Sequence, residues 1–149
     1  MKYFLIILFA LTFIYPVNSE EKNFFKEAKK LFDEEKYEDS KFLFQRNIVY
    51  NPKDSESYLF LAKIFKVEED KKEEEKNIKT SLLLDPKNEE AMYFLIDLEL
   101  ERSNFSRAKK LKEDFVLICD KMCEKLKSIE NRLKAFEKTK SWPFSIEQN

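Results

Sequence analysis

Cys119 and Cys123 are the only cysteines of the chain, and they stand four positions apart. Three kinds of chemistry open to such a pair are metal binding, dithiol catalysis and a disulfide. A tetrahedral zinc site needs four ligands, and the chain has no histidine and no further cysteine to complete one. Catalytic redox pairs usually have two intervening residues, not three, and a thioredoxin-like setting. A disulfide in an oxidising compartment, or two free half-buried thiols, is what remains. Geometry separates the two. Residues four apart on an unbroken helix have Cβ atoms about 5–6 Å apart, whereas a disulfide needs roughly 3.5–4.5 Å. A bridge therefore predicts a helix break at this point, and free thiols would share one continuous helix.

Elsewhere the residues needed for catalysis are missing. The absence of histidine removes the usual neutral-pH general base and the commonest metal ligand. No nucleophile stands beside a base, no glycine loop can cradle a phosphate, and the acids are scattered at the spacing of a solvated surface. The expectation is a protein that is not an enzyme, with no cofactor and no small-molecule substrate. Lysine and arginine number 28 against 29 acids, a net charge of -1, with no basic run to track a phosphate backbone. Nucleic acid is not an expected partner. The mixed-charge run Glu68 to Lys76 reads as a solvated turn and helix start.

The supporting elements should all be helices. The chain of 149 residues contains no glycine and four prolines, whereas hairpins lean on glycine at positive φ. Charged residues make up 38% and aromatics 15%, which gives a polar surface together with enough large apolar side chains for one core. At the N-terminus, Lys2 precedes an apolar stretch from Tyr3 to Tyr15, then Pro16 and Val17-Asn18-Ser19. This is signal-peptide architecture, with small residues for cleavage after Ser19 and a span short of the roughly 20 residues that cross a bilayer. Residues 1–19 are thus expected to direct export to the periplasm or its equivalent, an uncleaved anchor being the other reading. No cysteine follows the stretch to accept a lipid.

The clearest internal pattern is a repeat. Asn51-Pro52-Lys53-Asp54 and Asp85-Pro86-Lys87-Asn88 place their prolines 34 positions apart, each before a run rich in apolar residues. Asp54 and Asn88 are suited to cap the following helix by accepting backbone N–H groups. The same period aligns Phe24, Tyr58 and Met92, and then Ala28, Ala62 and Ile96, on the first helix of each unit. In the second helices it aligns Phe44, Ile78 and Lys112, then Asn47, Ser81 and Phe115, then Tyr50, Leu84 and Ile118. The turns Glu35 to Ser40 and Ser103 to Ala108 share an aromatic-then-small pattern.

On these residues the chain resembles the tetratricopeptide repeat family, with units near 21–54, 55–88 and 89–122. The departures are Ile96 for a small residue, Glu99 and Lys112 for large apolar ones, and Lys71 and Glu74 for an aromatic and a small one. The resemblance implies an all-α solenoid of about three antiparallel helix pairs. Met122, Leu126, Ile129, Leu133 and Phe136 recur at intervals of four and three, which predicts an amphipathic helix over 122–138 that caps the exposed end of the last unit. The repeat domain would then occupy 20–138. Residues 139–149, with Trp142 and Phe144, form a tail without helical period.

In this family the first helices of successive units line a concave groove. By period, the resemblance assigns it Phe25, Lys29 and Phe32 from the first unit. The second unit contributes Leu59, Lys63 and Lys66, and the third Tyr93, Asp97 and Leu100. The family's carboxylate clamp of basic residues and asparagine is not matched in full. The implied role is a non-catalytic scaffold or adaptor that binds a protein or peptide partner, an envelope membrane complex included. The alternative is a structural subunit that forms a homo-oligomer through its repeat ends.

Overall fold

The computed structural model describes residues 23–140, and among these every regular element is helical. The helices are α1 (Phe24–Asp33), α2 (Tyr37–Tyr50), α3 (Ser55–Val67), α4 (Lys71–Leu84), α5 (Glu89–Glu101), α6 (Phe105–Ile118) and α7 (Lys125–Lys140). The N-terminal stretch expected to direct export, and Trp142 and Phe144 of the tail, lie outside the described residues. Consecutive helices pack as the pairs α1/α2, α3/α4 and α5/α6, and α7 lies against both α5 and α6. The result is the expected all-α solenoid with a closing helix.

Side chains at the helix starts explain several boundaries. Asn23 accepts from the Lys26 N–H at 2.9 Å, Asp70 from those of Lys72 and Glu73, and Asn88 from that of Ala91. Each thereby satisfies an otherwise orphaned donor in a first turn. Asp54 precedes α3 but does not cap it in the expected way. Its carboxylate accepts instead from the Ser57 hydroxyl and the Asn47 amide, both at 2.6 Å, and so ties the start of α3 to the end of α2.

The turn inside each pair repeats with the same period. Glu35, Glu69 and Ser103 have φ of 59°, 60° and 59°, the left-handed region that glycine would occupy in most proteins. The following N–H, of Lys36, Asp70 or Asn104, donates back to the carbonyl of Leu31, Phe65 or Glu99 at 2.8–2.9 Å. Those of Glu35, Glu69 and Ser103 themselves reach Phe32, Lys66 and Leu100. This double bond pattern is a Schellman cap, and it reverses the chain three times without glycine.

Many of the aligned positions form the core, although Tyr50 is exposed and Asn47, Lys112 and Leu84 are half-buried. Ala28, Ala62 and Ile96 are fully buried, as are Phe44, Ile78 and Phe115. Burying a large apolar side chain stabilises a fold by about 1.5–3 kcal/mol, so these columns hold the layers together. The polar departures are also accounted for. Glu99 is 2% exposed, with its carboxylate between the Asn104 amide at 2.9 Å and the Arg107 guanidinium at 3.1 Å. Lys112 is half-buried and pairs with Glu130 of α7 at 3.4 Å. Glu74 is fully buried in the column of Ser40 and Ala108, facing Lys71 at 3.4 Å.

Helix α7 runs antiparallel to α6, so that Phe136 near its end stacks on Phe105 at the start of α6. Ile129 is 1% exposed and packs with Leu126 and Leu133 against Ile96, Leu100 and Phe115. It begins at Lys125 and not at Met122, because residues 119–124 form an irregular turn.

Candidate functional site

The first helices α1, α3 and α5 lie side by side, joined by the Phe32–Phe60 ring contact and by the Lys63–Glu90 and Lys66–Asp97 pairs. Between them is an open cleft of about 480 Å³, lined by Phe32, Lys63, Lys66, Val67, Glu90, Phe94 and Asp97. Phe32, Val67 and Phe94 supply its apolar lining, and Val67 is 55% exposed. The polar lining consists of pairs. Lys63 bridges to Glu90 at 2.7 Å, Lys66 pairs with Asp97 and reaches Glu101 at 3.1 Å, and Asp97 pairs in turn with Arg132 of α7.

The ammonium groups also lie over aromatic rings. Lys63 sits 4.4 Å from the ring centre of Phe60 and 5.8 Å from that of Phe94, and Lys66 is 5.4 Å from Phe94. Cation–π contacts of this kind hold a lysine in place while leaving its charge intact. Burial pulls the Lys66 amine down, but hydrogen bonds to Asp97 and Glu101 outweigh it and leave the group above its ordinary value. Burial raises the Asp97 carboxyl, and the Lys66 and Arg132 hydrogen bonds outweigh that too, holding it below its ordinary value. Lys66 and Asp97 are therefore a fixed ion pair at neutral pH.

Four of the nine residues assigned to the groove by period, Phe32, Lys63, Lys66 and Asp97, meet in this cleft. Lys29 lies on the same side, exposed, with its ammonium 5.8 Å from Phe60 and no ion pair among the described residues. Phe25 is half-buried, its ring edge-on to Phe44 and Phe60 at 5.7 and 5.9 Å. Tyr93 is half-buried beneath the Lys125 ammonium of α7. Leu59 and Leu100 are not in the groove: they are 0% and 6% exposed and belong to the interior. Lys63 and Lys66, unlike Lys29, already have carboxylates of their own.

Val67, Glu90 and Phe94 line the cleft as well and are not among the nine. Phe94 adjoins Tyr93, which is among them. One residue turns a helix by about 100°, and on α5 the cleft takes Phe94 where the period indicates Tyr93. Helices α3 and α5 carry buried apolar residues around most of their circumference, and period alone does not say which face is inside.

Cys119 and Cys123 stand at disulfide distance, with Cα atoms 5.3 Å apart, and the helix breaks between them as a bridge requires. The carboxylate of Glu89, at the start of α5, accepts from the backbone N–H of Met122 at 2.8 Å and of Lys121 at 3.1 Å. Backbone hydrogen bonds from Asp120 and Met122 hold the Glu89 carboxyl below its usual range. No three histidine, cysteine, aspartate or glutamate side chains among the described residues cluster as metal ligands do.

No protein-family model and no curated protein sequence matches the chain. Solved structures do. The Yersinia enterocolitica type III secretion translocator chaperone SycD superposes with a TM-score of 0.69 at 19% identity, over 80% of this chain and 84% of that one. The Sgt2 TPR domain from Aspergillus fumigatus gives 0.69 at 13% identity, over 88% and 90%. The second TPR domain of human RPAP3, solved in complex with an HSP70 peptide, gives 0.63 at 18% identity, over 76% and 92%. At such identities the likeness is one of fold, and it agrees with the 34-residue period and the paired helices: the chain has the tetratricopeptide repeat fold.

Proposed function

We propose that the protein is a non-catalytic adaptor that holds a peptide segment of another protein in the cleft between α1, α3 and α5. The observation that carries this reading is the cleft itself. Its apolar strip of Phe32, Val67 and Phe94 is open to solvent, and flanking ion pairs hold donors and acceptors in place. An aromatic or aliphatic side chain laid on that strip would bury apolar area, while Lys63, Glu90, Lys66 and Asp97 meet the peptide's polar groups. Since the cleft's charges are already balanced, the partner segment is apolar-anchored and not strongly acidic. Two structural neighbours support the reading by likeness of fold: SycD was solved with a peptide of the translocator YopD, and the RPAP3 domain with an HSP70 peptide. The reading includes export to the periplasm or its equivalent, which the signal-like apolar stretch from Tyr3 to Tyr15 supports.

The test is capture from a native envelope fraction by the chain and by the double variant Phe94→Ala, Val67→Ser, both checked for equal helicity. A protein retained by the first and lost by the second supports the cleft, provided a synthetic peptide from that protein binds with the same dependence on Phe94. Capture that ignores the double variant removes the cleft from the function.

A further inference from the structure

The four-three spacing that marks α7 does not begin there. Phe115, Cys119, Met122, Leu126, Ile129 and Leu133 alternate steps of four and three without interruption, so the apolar stripe of α6 runs through the turn into α7. The six residues of that turn, Cys119 to Glu124, include no glycine or proline, and lysine, methionine and glutamate among them are good helix formers. Local preference thus favours one helix from Phe105 to Lys140. The structure has two, because a bridge between residues four apart is incompatible with an unbroken helix.

We infer that the Cys119–Cys123 pair decides which copy of the protein α7 covers. Bridged, it turns α7 back onto its own α5 and α6; reduced, it lets α6 and α7 fuse, and the α7 half then caps a second copy. A fused helix is about 50 Å long, which carries Ile129 far from its own Ile96 and Leu100. Both faces carry large apolar side chains that the closed form buries, Ile129 on one and Ile96, Leu100 and Phe115 on the other, so each must find an equivalent cover. A second chain offers the same pair of surfaces, and a two-fold exchange satisfies all four faces at once. The Lys121 and Met122 N–H groups, which now donate to Glu89, would donate to the carbonyls of Leu117 and Ile118 in the fused helix.

Reduction requires a thiol reductant. One thiolate attacks the sulfur of exposed Cys123, forming a mixed disulfide and releasing the Cys119 thiolate. A second thiol resolves the mixed disulfide, leaving two cysteine thiols and one oxidised reductant disulfide, with the two protons passing from the reductant to the cysteines. This inference does not depend on what the cleft binds.

The test is light scattering coupled to size exclusion, with far-ultraviolet circular dichroism, on the oxidised chain, the chain in dithiothreitol and the variant C119S/C123S. The expected result is a one-chain mass when oxidised, and a two-chain mass with raised helicity for both the reduced chain and the variant. Adding Asp120→Gly and Lys121→Gly to C119S/C123S, which disfavours the fused helix, is expected to restore the one-chain mass. The proposal is overturned if reduction leaves mass and helicity unchanged, if it merely unfolds the wild-type chain, or if the glycine pair fails to reverse the dimer.

Discussion

Replacing Glu35, Glu69 and Ser103 by glycine should stabilise the domain, although glycine is ordinarily a poor choice in a helical protein. All three are exposed and hold φ near 60°, and none forms a side-chain hydrogen bond or ion pair among the described residues. A non-glycine residue in that region carries a steric penalty of roughly 1–2 kcal/mol. Against this, glycine loses about 0.5–1 kcal/mol more backbone entropy on folding. The net gain is about 0.5–1 kcal/mol at each turn. The sites are 34 residues apart in separate repeats and share no partners, so the gains should add to about 2 kcal/mol. For a domain of roughly 120 residues that raises the melting temperature by about 8 °C. Thermal unfolding followed by circular dichroism measures it, with Lys30→Gly inside α1 as the opposite control, expected to lose about 1 kcal/mol. A triple variant that melts at or below the wild-type temperature would refute the claim that these turns are sterically strained.

Neighbouring carboxyls in α4 should titrate in opposite directions. Burial raises Glu74, while hydrogen bonds from Arg102 and Lys79 lower Glu75 to about 2. Carbon-detected NMR should see Glu74 protonate first and Glu75 stay ionised to about pH 2. A raised folded pKa means that Glu74 favours the fold when protonated, an advantage lost as pH rises through that pKa; Glu74→Gln is therefore expected to raise the melting temperature at pH 7 and to have little effect in acid. Asp97→Ala leaves Lys66 and Arg132 without their shared carboxylate and should cost about 1–2 kcal/mol in urea unfolding. Because the Asp97 pKa is depressed, its contribution should be present above the ordinary carboxylate range and fade as pH falls through the folded value. Glu89→Gln should accelerate hydrogen exchange at the Lys121 and Met122 amides, and unchanged exchange would show that the carboxylate does not hold this turn.

Much of the fold was legible because a repeat states the same solution several times. Pro52 and Pro86 set the period, and the columns headed by Ala28 and Phe44 then located the buried face of each helix. The three left-handed turns obey that period as well, but they were not legible, since Glu35, Glu69 and Ser103 share no side-chain chemistry that marks positive φ. Asp54 shows a second limit: residue type indicated a cap, and the competing donors Asn47 and Ser57, brought from a neighbouring helix and the next turn, took its carboxylate.

The groove was only half legible for a related reason. Glu99 and Lys112 count as departures at apolar columns and Asp97 as a groove residue, yet all three are partners in pairs that cross between helices, with Arg107, Glu130, and Lys66 and Arg132 respectively. A charge whose partner lies 31 to 35 positions away has no local signature. The same pairs explain why the cleft has a definite shape. Lys66, Asp97 and Arg132 link α3, α5 and α7 in one chain of charge, so the closing helix that seals the core also fixes one wall of the proposed peptide site. Anything that moves α7, the state of Cys119 and Cys123 included, must therefore disturb Asp97 and with it the Lys66 side of the cleft.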